Sequence, residues 1–397
     1  MRISLPLVWL VPFFIFGLLI GRQFPSVVYL WLAAVALLAQ GFVWRRRHWP
    51  EALAVAFWLL LGAARMTHAV QEVGTGRSTT DKALSAMRTH AHRAQAQLML
   101  RMERAGLDGE TLALTSALLL GRRSQLSYET RHAFFETGTG HLLALSGLHL
   151  GIVYGVLHLL FLSFVGHTRW RWHALPPLLL CIWGYTMLAG APNSLVRAAI
   201  MCSMLAIGSL SERHVVSLHS LAVAALVVLM ISPCALYDVG FQLSFVCVFF
   251  ILALYLPIHE IFCLWIVRGG RLLSMLGVAL VAQLGAMPLI AYHFHTFALL
   301  APLLSPVLIP LTALIIYGGL LLLLLPWHVL AVALTCVVRA ELWIVGQWLR
   351  VPGATLHDIY VPTWAVVLTY VLLLCATLRL HVKFRAGDFR NTPGGFE

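Results

Sequence analysis

The chain has 397 residues, of which 60% are apolar and only 11% charged. So few charges cannot cover the surface of a soluble protein of this length, which leaves a polytopic membrane protein. The net charge is +12, and of the 27 basic residues only Lys82 and Lys383 are lysines; such a balance fits loops held on the cytoplasmic side and, more sharply, a phosphate-rich partner.

Residues 3–21 and 27–43 are apolar runs long enough to span, separated by a turn at Pro25. The first follows Met1-Arg2 and reads as a retained span, because no small-residue cleavage site precedes a soluble domain. Arg45-Arg46-Arg47-His48 places the N-terminus and the 44–50 loop in the cytoplasm. A third span, 51–70, then carries residues 71–135 to the exterior. Their own excess of basic residues is in tension with that placement.

Within that segment, 81–105 reads as an amphipathic helix. Leu84, Met87, Ala91, Ala94, Leu98 and Met102 recur at steps of three and four, with Lys82, Arg88, Arg93, Arg101 and Arg104 on other faces. Arg88, Arg93 and Arg101 are candidate surface contacts for DNA or lipid; packing against another helix is the competing reading. Gly106 and Asp108-Gly109 end this helix, a second short one runs to Leu120, and Gly121-Arg122-Arg123-Ser124 makes a polar turn.

From residue 142 onward the chain is nearly continuous span: 142–165, 174–190, 194–210, 218–232, 240–257, 272–292, 298–325, 328–349 and 363–380. With the first three this predicts about twelve transmembrane helices in an all-α, multi-pass protein. Arg169, Arg171, Arg213, Arg268, Arg271 and the 383–397 tail then all fall inside. The organisation expected is N-terminal spans over 1–70, an exterior amphipathic helical segment over 71–135, a membrane core over 136–382 and a cytoplasmic tail. Pro302, Pro306 and Pro310 predict that 298–325 is too interrupted for one straight helix.

Polar residues inside these runs are candidates for a pore or a site. His141, Ser146 and His149 enter the first core span among Gly138, Gly140, Gly147 and Gly151; Ser146 and His149 share a helix face. A helix-packing seam explains them equally well. Asn193 and Ser194 open a span as caps or as path residues, and Arg197 lies one turn further in, where it either snorkels or faces a partner or water. Asp238 and Gln242 begin another span, and Gln283 lies inside a third.

Motif searches narrow the chemistry. There is no P-loop, and His259-Glu260-Ile261-Phe262-Cys263 fails the zinc-protease pattern at its last position. Seven cysteines sit in or beside apolar segments without a CxxC, so neither metal nor disulfide framework is expected. Ala144-Leu145-Ser146-Gly147 lacks the leading glycine of intramembrane serine proteases. No cofactor is expected.

Four ordered stretches carry a resemblance: Ala117-Leu-Leu-Leu-Gly-Arg-Arg-Ser-Gln-Leu-Ser127, Thr137-Gly-Thr-Gly-His-Leu-Leu-Ala-Leu-Ser-Gly-Leu-His-Leu-Gly151, Ser194-Leu-Val-Arg-Ala-Ala-Ile-Met201 and Asp238-Val-Gly-Phe-Gln-Leu-Ser-Phe245. Together they resemble the ComEC competence family, most strongly over 112–310. The resemblance implies a bacterial inner-membrane channel that imports single-stranded DNA during natural transformation, without enzymatic activity. The DNA path would then run past His141, Ser146, His149, Asn193, Ser194, Arg197, Asp238, Gln242 and Gln283. Partners would be single-stranded DNA, the lipid bilayer, the DNA-uptake machinery and a motor or nuclease supplied in trans. Many family members carry an external OB-fold and a metallo-β-lactamase-like domain; here 65–135 reads as helical and no HxHxDH follows the last span, so a competence core alone is expected. An ion-coupled small-solute transporter and an intramembrane hydrolase using Ser146 and His149 are the rival readings.

Overall fold

The computed structural model describes residues 7–23, 29, 32–33, 50–75, 79–163, 171–210, 218–265 and 270–385. Most of the predicted second span, the arginine loop at 45–47, Arg169, Arg213, Arg268 and most of the predicted tail lie outside them. The chain divides into two compact units. One is formed by residues 1–90, 161–187 and 191–242, the other by 91–160, 188–190 and 243–397. Among the described residues the architecture is all-α except for one short antiparallel pair of two-residue strands.

In the first unit, helix Leu7–Gln23 lies against helix Pro50–Thr75. Glycine makes this approach possible: a methyl group on Gly17 would overlap the Leu59 carbonyl, one on Gly21 the Ala63 carbonyl, and one on Gly62 the Phe14 carbonyl. Small residues four apart let two backbones meet where apolar side chains alone give little drive to associate in lipid. Phe14 and Leu18 are fully buried in the seam. Helix Leu218–Ile231 joins this pair and also packs on helix Asn193–Leu210. Arg65 caps the C-terminus of Leu218–Ile231: its Nε donates to the Met230 carbonyl at 2.7 Å and its Nη2 to the Ile231 carbonyl at 3.0 Å. That satisfies two carbonyls the helix leaves open and places a cation at its negative end.

The second unit is built around helix Gly109–Leu120, nine of whose twelve residues are buried. It packs against helices Ala301–Leu324 and His328–Trp348. Gly121, with φ of 77°, ends it in the left-handed region, where its N–H reaches Ala117 O and that of Arg122 reaches Ser116 O; this is the glycine stop that a helix terminus favours. Buried Gln95, on helix Thr79–Arg104, donates to Leu120 O at 2.9 Å and Leu188 O at 2.7 Å. The amphipathic prediction holds on that helix: Ala91 and Met102 are buried, and Arg88, Arg93 and Arg101 are exposed. Strand Phe297–Ala298 pairs antiparallel with Thr355–Leu356. Further along, Phe250, Leu254 and Val281 form an apolar cluster, and the Tyr370 ring stacks on Phe250 while its hydroxyl donates to Gly285 O at 3.0 Å.

Four described helices are long and apolar enough to cross a membrane: Leu276–Phe294, Ala301–Leu324, His328–Trp348 and Thr363–Leu380. Seven shorter apolar helices accompany them, among them Val11–Gln23, Val55–Val70, Asn193–Gly208, Leu218–Ile231 and Val239–Leu254. The protein is therefore an all-α membrane protein.

Two local expectations are corrected. Ala301–Leu324 is one continuous helix. Pro302 occupies its first turn, where an N–H has no intrahelical partner anyway, and Pro306 and Pro310 each remove one bond, to residues 302 and 306, along a single strip of the helix. The predicted 142–165 span is broken instead. Helix Gly140–Leu143 stops, Ala144 and Ser146 are extended, and a new helix, Gly147–His158, begins. His141 is thus on a separate turn from Ser146 and His149.

Candidate functional site

The predicted path residues fall into two polar groups, one in each unit. In the first unit, the loop before helix Asn193–Leu210 meets the loop before helix Val239–Trp265. Asp238 is extended and caps the latter helix: its Oδ1 accepts the Gly240 N–H at 2.8 Å. Its Oδ2 accepts from Asn193 Nδ2 at 2.9 Å. Gln242, one turn on, donates to Leu236 O at 2.9 Å and so tightens the same corner. Beside it the Arg22 guanidinium lies 3.9 Å over the Tyr237 ring, a cation–π contact. Arg197 is 5% exposed, one turn into an apolar helix among buried Leu195, Ala198 and Ala199. Ser194 is half-buried at the start of the same helix.

Replacing Asp238 with Ala should remove both the cap and the Asn193 tie, at a cost of about 0.5–2 kcal/mol for the cap alone. The check is the thermal midpoint of the purified protein, which should fall; an unchanged midpoint would mean that the corner holds without its carboxylate.

In the second unit the segment from Thr137 to His149 is organised by backbone demands. Thr137 donates to Ala133 O at 2.9 Å and lies 2.9 Å from Thr139, which donates to Phe134 O at 3.3 Å. Both threonines are buried and spend their hydroxyls on helix-end carbonyls. Gly138, with φ of 72°, packs directly on Ala298 and lies close to Ala301, so the turn docks on the start of the Ala301–Leu324 segment. Thr355 donates to Glu136 O and holds the strand pair to the same turn. His141 is exposed, with Nδ1 3.2 Å from Gly138 O.

Ser146 and His149 are brought together as a capping box. Ser146 Oγ accepts the Leu148 N–H at 3.3 Å and lies 3.1 Å from His149 Nδ1, and the Ser146 N–H donates to that same Nδ1 at 3.3 Å. An Nδ1 that accepts a backbone N–H carries no proton, so the neutral ring carries it on Nε2. His149 is fully buried and its Nε2 has no partner among the described residues. Hydrolytic use of Ser146 would want a base oriented by a third group at the far nitrogen. The contact seen here is accounted for by helix capping. Gln283 is tied to the strand Phe297–Ala298 instead, donating to Ala298 O at 2.9 Å.

One polar group escaped the sequence reading. Glu341 is fully buried on helix His328–Trp348, with Oε1 accepting from Thr312 Oγ1 at 3.0 Å and Oε2 without a partner among the described residues. The signal was a lone acid inside a predicted span; its partner, 29 residues away, is invisible until the helices pack. Among the described residues no cluster of three or more His, Cys, Asp and Glu could hold a metal ion.

A family model described as Competence protein matches residues 118–383, which contain both polar groups and Glu341. ComE operon protein 3 of Bacillus subtilis (strain 168) is 35% identical over 217 residues, covering 54% of this chain and 26% of that protein. An uncharacterized protein of Aquifex aeolicus (strain VF5) is 32% identical over 215 residues, covering 54% of this chain and 48% of its own length. The aligned part thus spans about a quarter and about half of these two relatives. No solved structure matches.

Proposed function

The chain belongs to the Competence protein family, and from that premise we propose that it forms the path by which single-stranded DNA crosses the bacterial inner membrane during transformation. About twelve spans would enclose the path, and transport needs no bond-making chemistry from the chain itself. The observation that carries the reading is the first unit's polar corner: a buried arginine, one turn from an Asn193–Asp238 bridge, at the start of two apolar helices. A polyanion cannot enter hydrocarbon without cationic or hydrogen-bonding groups to replace its water. The guanidinium fork suits phosphate oxygens. DNA-uptake machinery would deliver the strand, and a motor or nuclease would act in trans.

The test is a strain lacking the chain, scored separately for DNA held at the cell surface and for DNA that reaches the cytoplasm. Surface capture should persist and internalisation should be lost. Normal internalisation overturns the reading, and uptake of a small solute by the purified protein in liposomes would replace it with the transporter alternative.

The exposed arginines of helix Thr79–Arg104 give a weaker effect. Reversing Arg88, Arg93 and Arg101 to Glu should lower DNA binding by the purified protein several-fold at low salt and much less at physiological salt, where the screening length is about 8 Å. Binding that is equally low at both ionic strengths would point to damaged folding rather than a lost electrostatic contact.

A further inference from the structure

Helix His328–Trp348 buries a stripe of Ala331, Leu334, Val338, Glu341 and Val345. The spacing of three and four is that of a packing face, and at four of its five positions the residue is apolar. At the fifth stands a carboxyl group with no exposure at all. It lies seven residues before the helix end, about 10 Å along the axis at 1.5 Å per residue. Helix Ala301–Leu324 packs on this face, with Gly318 making room for Leu334, and supplies the Thr312 hydroxyl to Oε1.

From this placement we infer that Glu341 is a reversible proton-binding site within the membrane. A bare carboxylate taken into an apolar interior loses several kcal/mol of solvation, which a single hydroxyl does not replace. The resting group is therefore the neutral acid: Oε1 accepts from Thr312, and the proton sits on Oε2, the oxygen without a partner. Release breaks that O–H bond, leaves its electron pair on the carboxylate and passes the proton to water. The charged form then demands more donors than the Thr312 contact provides. Protonation and the packing of the two helices are thereby linked.

Among the described residues no opposite charge fixes this group in its ionised form. Helix Ala301–Leu324 carries no Asp, Glu, His, Lys or Arg, and its Tyr317 is exposed. Helix Gly109–Leu120 brings only Glu110, whose Oε1 accepts the Ser127 N–H at 3.0 Å. Helix Tyr128–Glu136 also packs on His328–Trp348 and carries Glu129, Arg131, His132 and Glu136; Arg131 donates to Arg123 O, and Glu136 is paired with His132 and His357. On its own helix, Arg339 is exposed two residues away and His328 lies more than three turns back. Thr312 is the one side chain hydrogen-bonded to Glu341 among the described residues. A purely structural tie between the helices would be served by an amide, which never ionises.

The test uses the purified full chain. Dicyclohexylcarbodiimide, which attacks protonated carboxyls in apolar surroundings, should label Glu341 at neutral pH, as read by mass spectrometry, and should not label Glu341→Gln at that position. Infrared spectra of the wild type should show a protonated-carboxyl band that shifts in D2O. Absence of both adduct and band means an ionised group, and a band that never shifts means a locked clamp; either result overturns the inference. These readings need no DNA and so stand apart from the transport proposal. If the site is used in DNA passage, which rests on that proposal, Glu341→Gln should lower transformation by at least about tenfold, equivalent to 1.4 kcal/mol, with normal membrane levels, and Glu341→Asp should restore part of it. Normal transformation by Glu341→Gln, with the spectroscopic signature present, would leave the DNA path intact and overturn the use of the proton.

Discussion

Arg197→Gln is expected to lower transformation by about tenfold to a hundredfold, with the protein still inserted and abundant, on the basis of about 1.5–3 kcal/mol for a charge-assisted hydrogen bond. The reason lies in where the charge is held. At 5% exposure the guanidinium has given up most of its water, on a helix whose neighbouring residues are apolar. A phosphate passing such a group gains two directed hydrogen bonds and a full opposite charge at once. Arg197→Lys keeps the charge and loses the fork, so it should recover part of the activity if phosphate is the partner and nearly all of it if only charge matters. Asp238 offers an internal control. Both its oxygens already accept hydrogen bonds, from Asn193 and from the Gly240 N–H. The double variant Arg197→Gln, Asp238→Asn should therefore stay as inactive as the single one. Recovery in the double variant would show that the arginine serves Asp238 rather than the strand. Unimpaired transformation by Arg197→Gln would remove the best residue of the DNA path.

Gly138→Val should cost the folded protein about 2–5 kcal/mol, summing about 1–2 for a side chain in the left-handed region and about 1–3 for overpacking. Gly138 sits at φ of 72°, and a Cβ there would strike Ala298 and, at 2.8 Å, Ala301. The obstacle is another chain segment rather than the flexible end of a side chain, so the turn and the 298–301 segment must move apart. The measurement is the amount of folded protein in the membrane and its thermal midpoint, with Gly151→Ala as the control, since a methyl group there meets nothing within 4 Å. Equal stability of the two variants would mean that the turn is not docked as described. This gives the Thr137-Gly138-Thr139-Gly140 stretch a structural role: the threonines satisfy carbonyls and the glycines permit contact.

Several local features were legible in the chain because they rest on neighbouring residues. The helix running to Leu120 and its glycine stop at Gly121 follow from an apolar run and a residue free to adopt positive φ. Asp238 as a helix cap and the buried stripe of the Thr79–Arg104 helix follow from short-range spacing. Neighbouring residues mislead where one local signal has two structural outcomes. Three prolines predicted a broken helix, but their common strip and the first one's place in the opening turn let the helix run on. A run of leucines and glycines predicted one span from 142, but the reciprocal bonds of Ser146 and His149 start a new helix inside it.

By itself, then, the sequence determined the class of the molecule: its apolar content and sparse charge leave only a membrane protein, and its four ordered motifs carry the family resemblance that the family match bears out. Tertiary structure decided which polar groups meet. Asn193 and Asp238 are 45 residues apart, and Thr312 and Glu341 are 29 apart, yet each pair is within hydrogen-bond reach. Hydropathy reports how each helix prefers lipid to water and contains nothing about which helix stands beside it. A buried donor and acceptor find one another only when packing removes every other partner, and that choice is made between helices rather than along one.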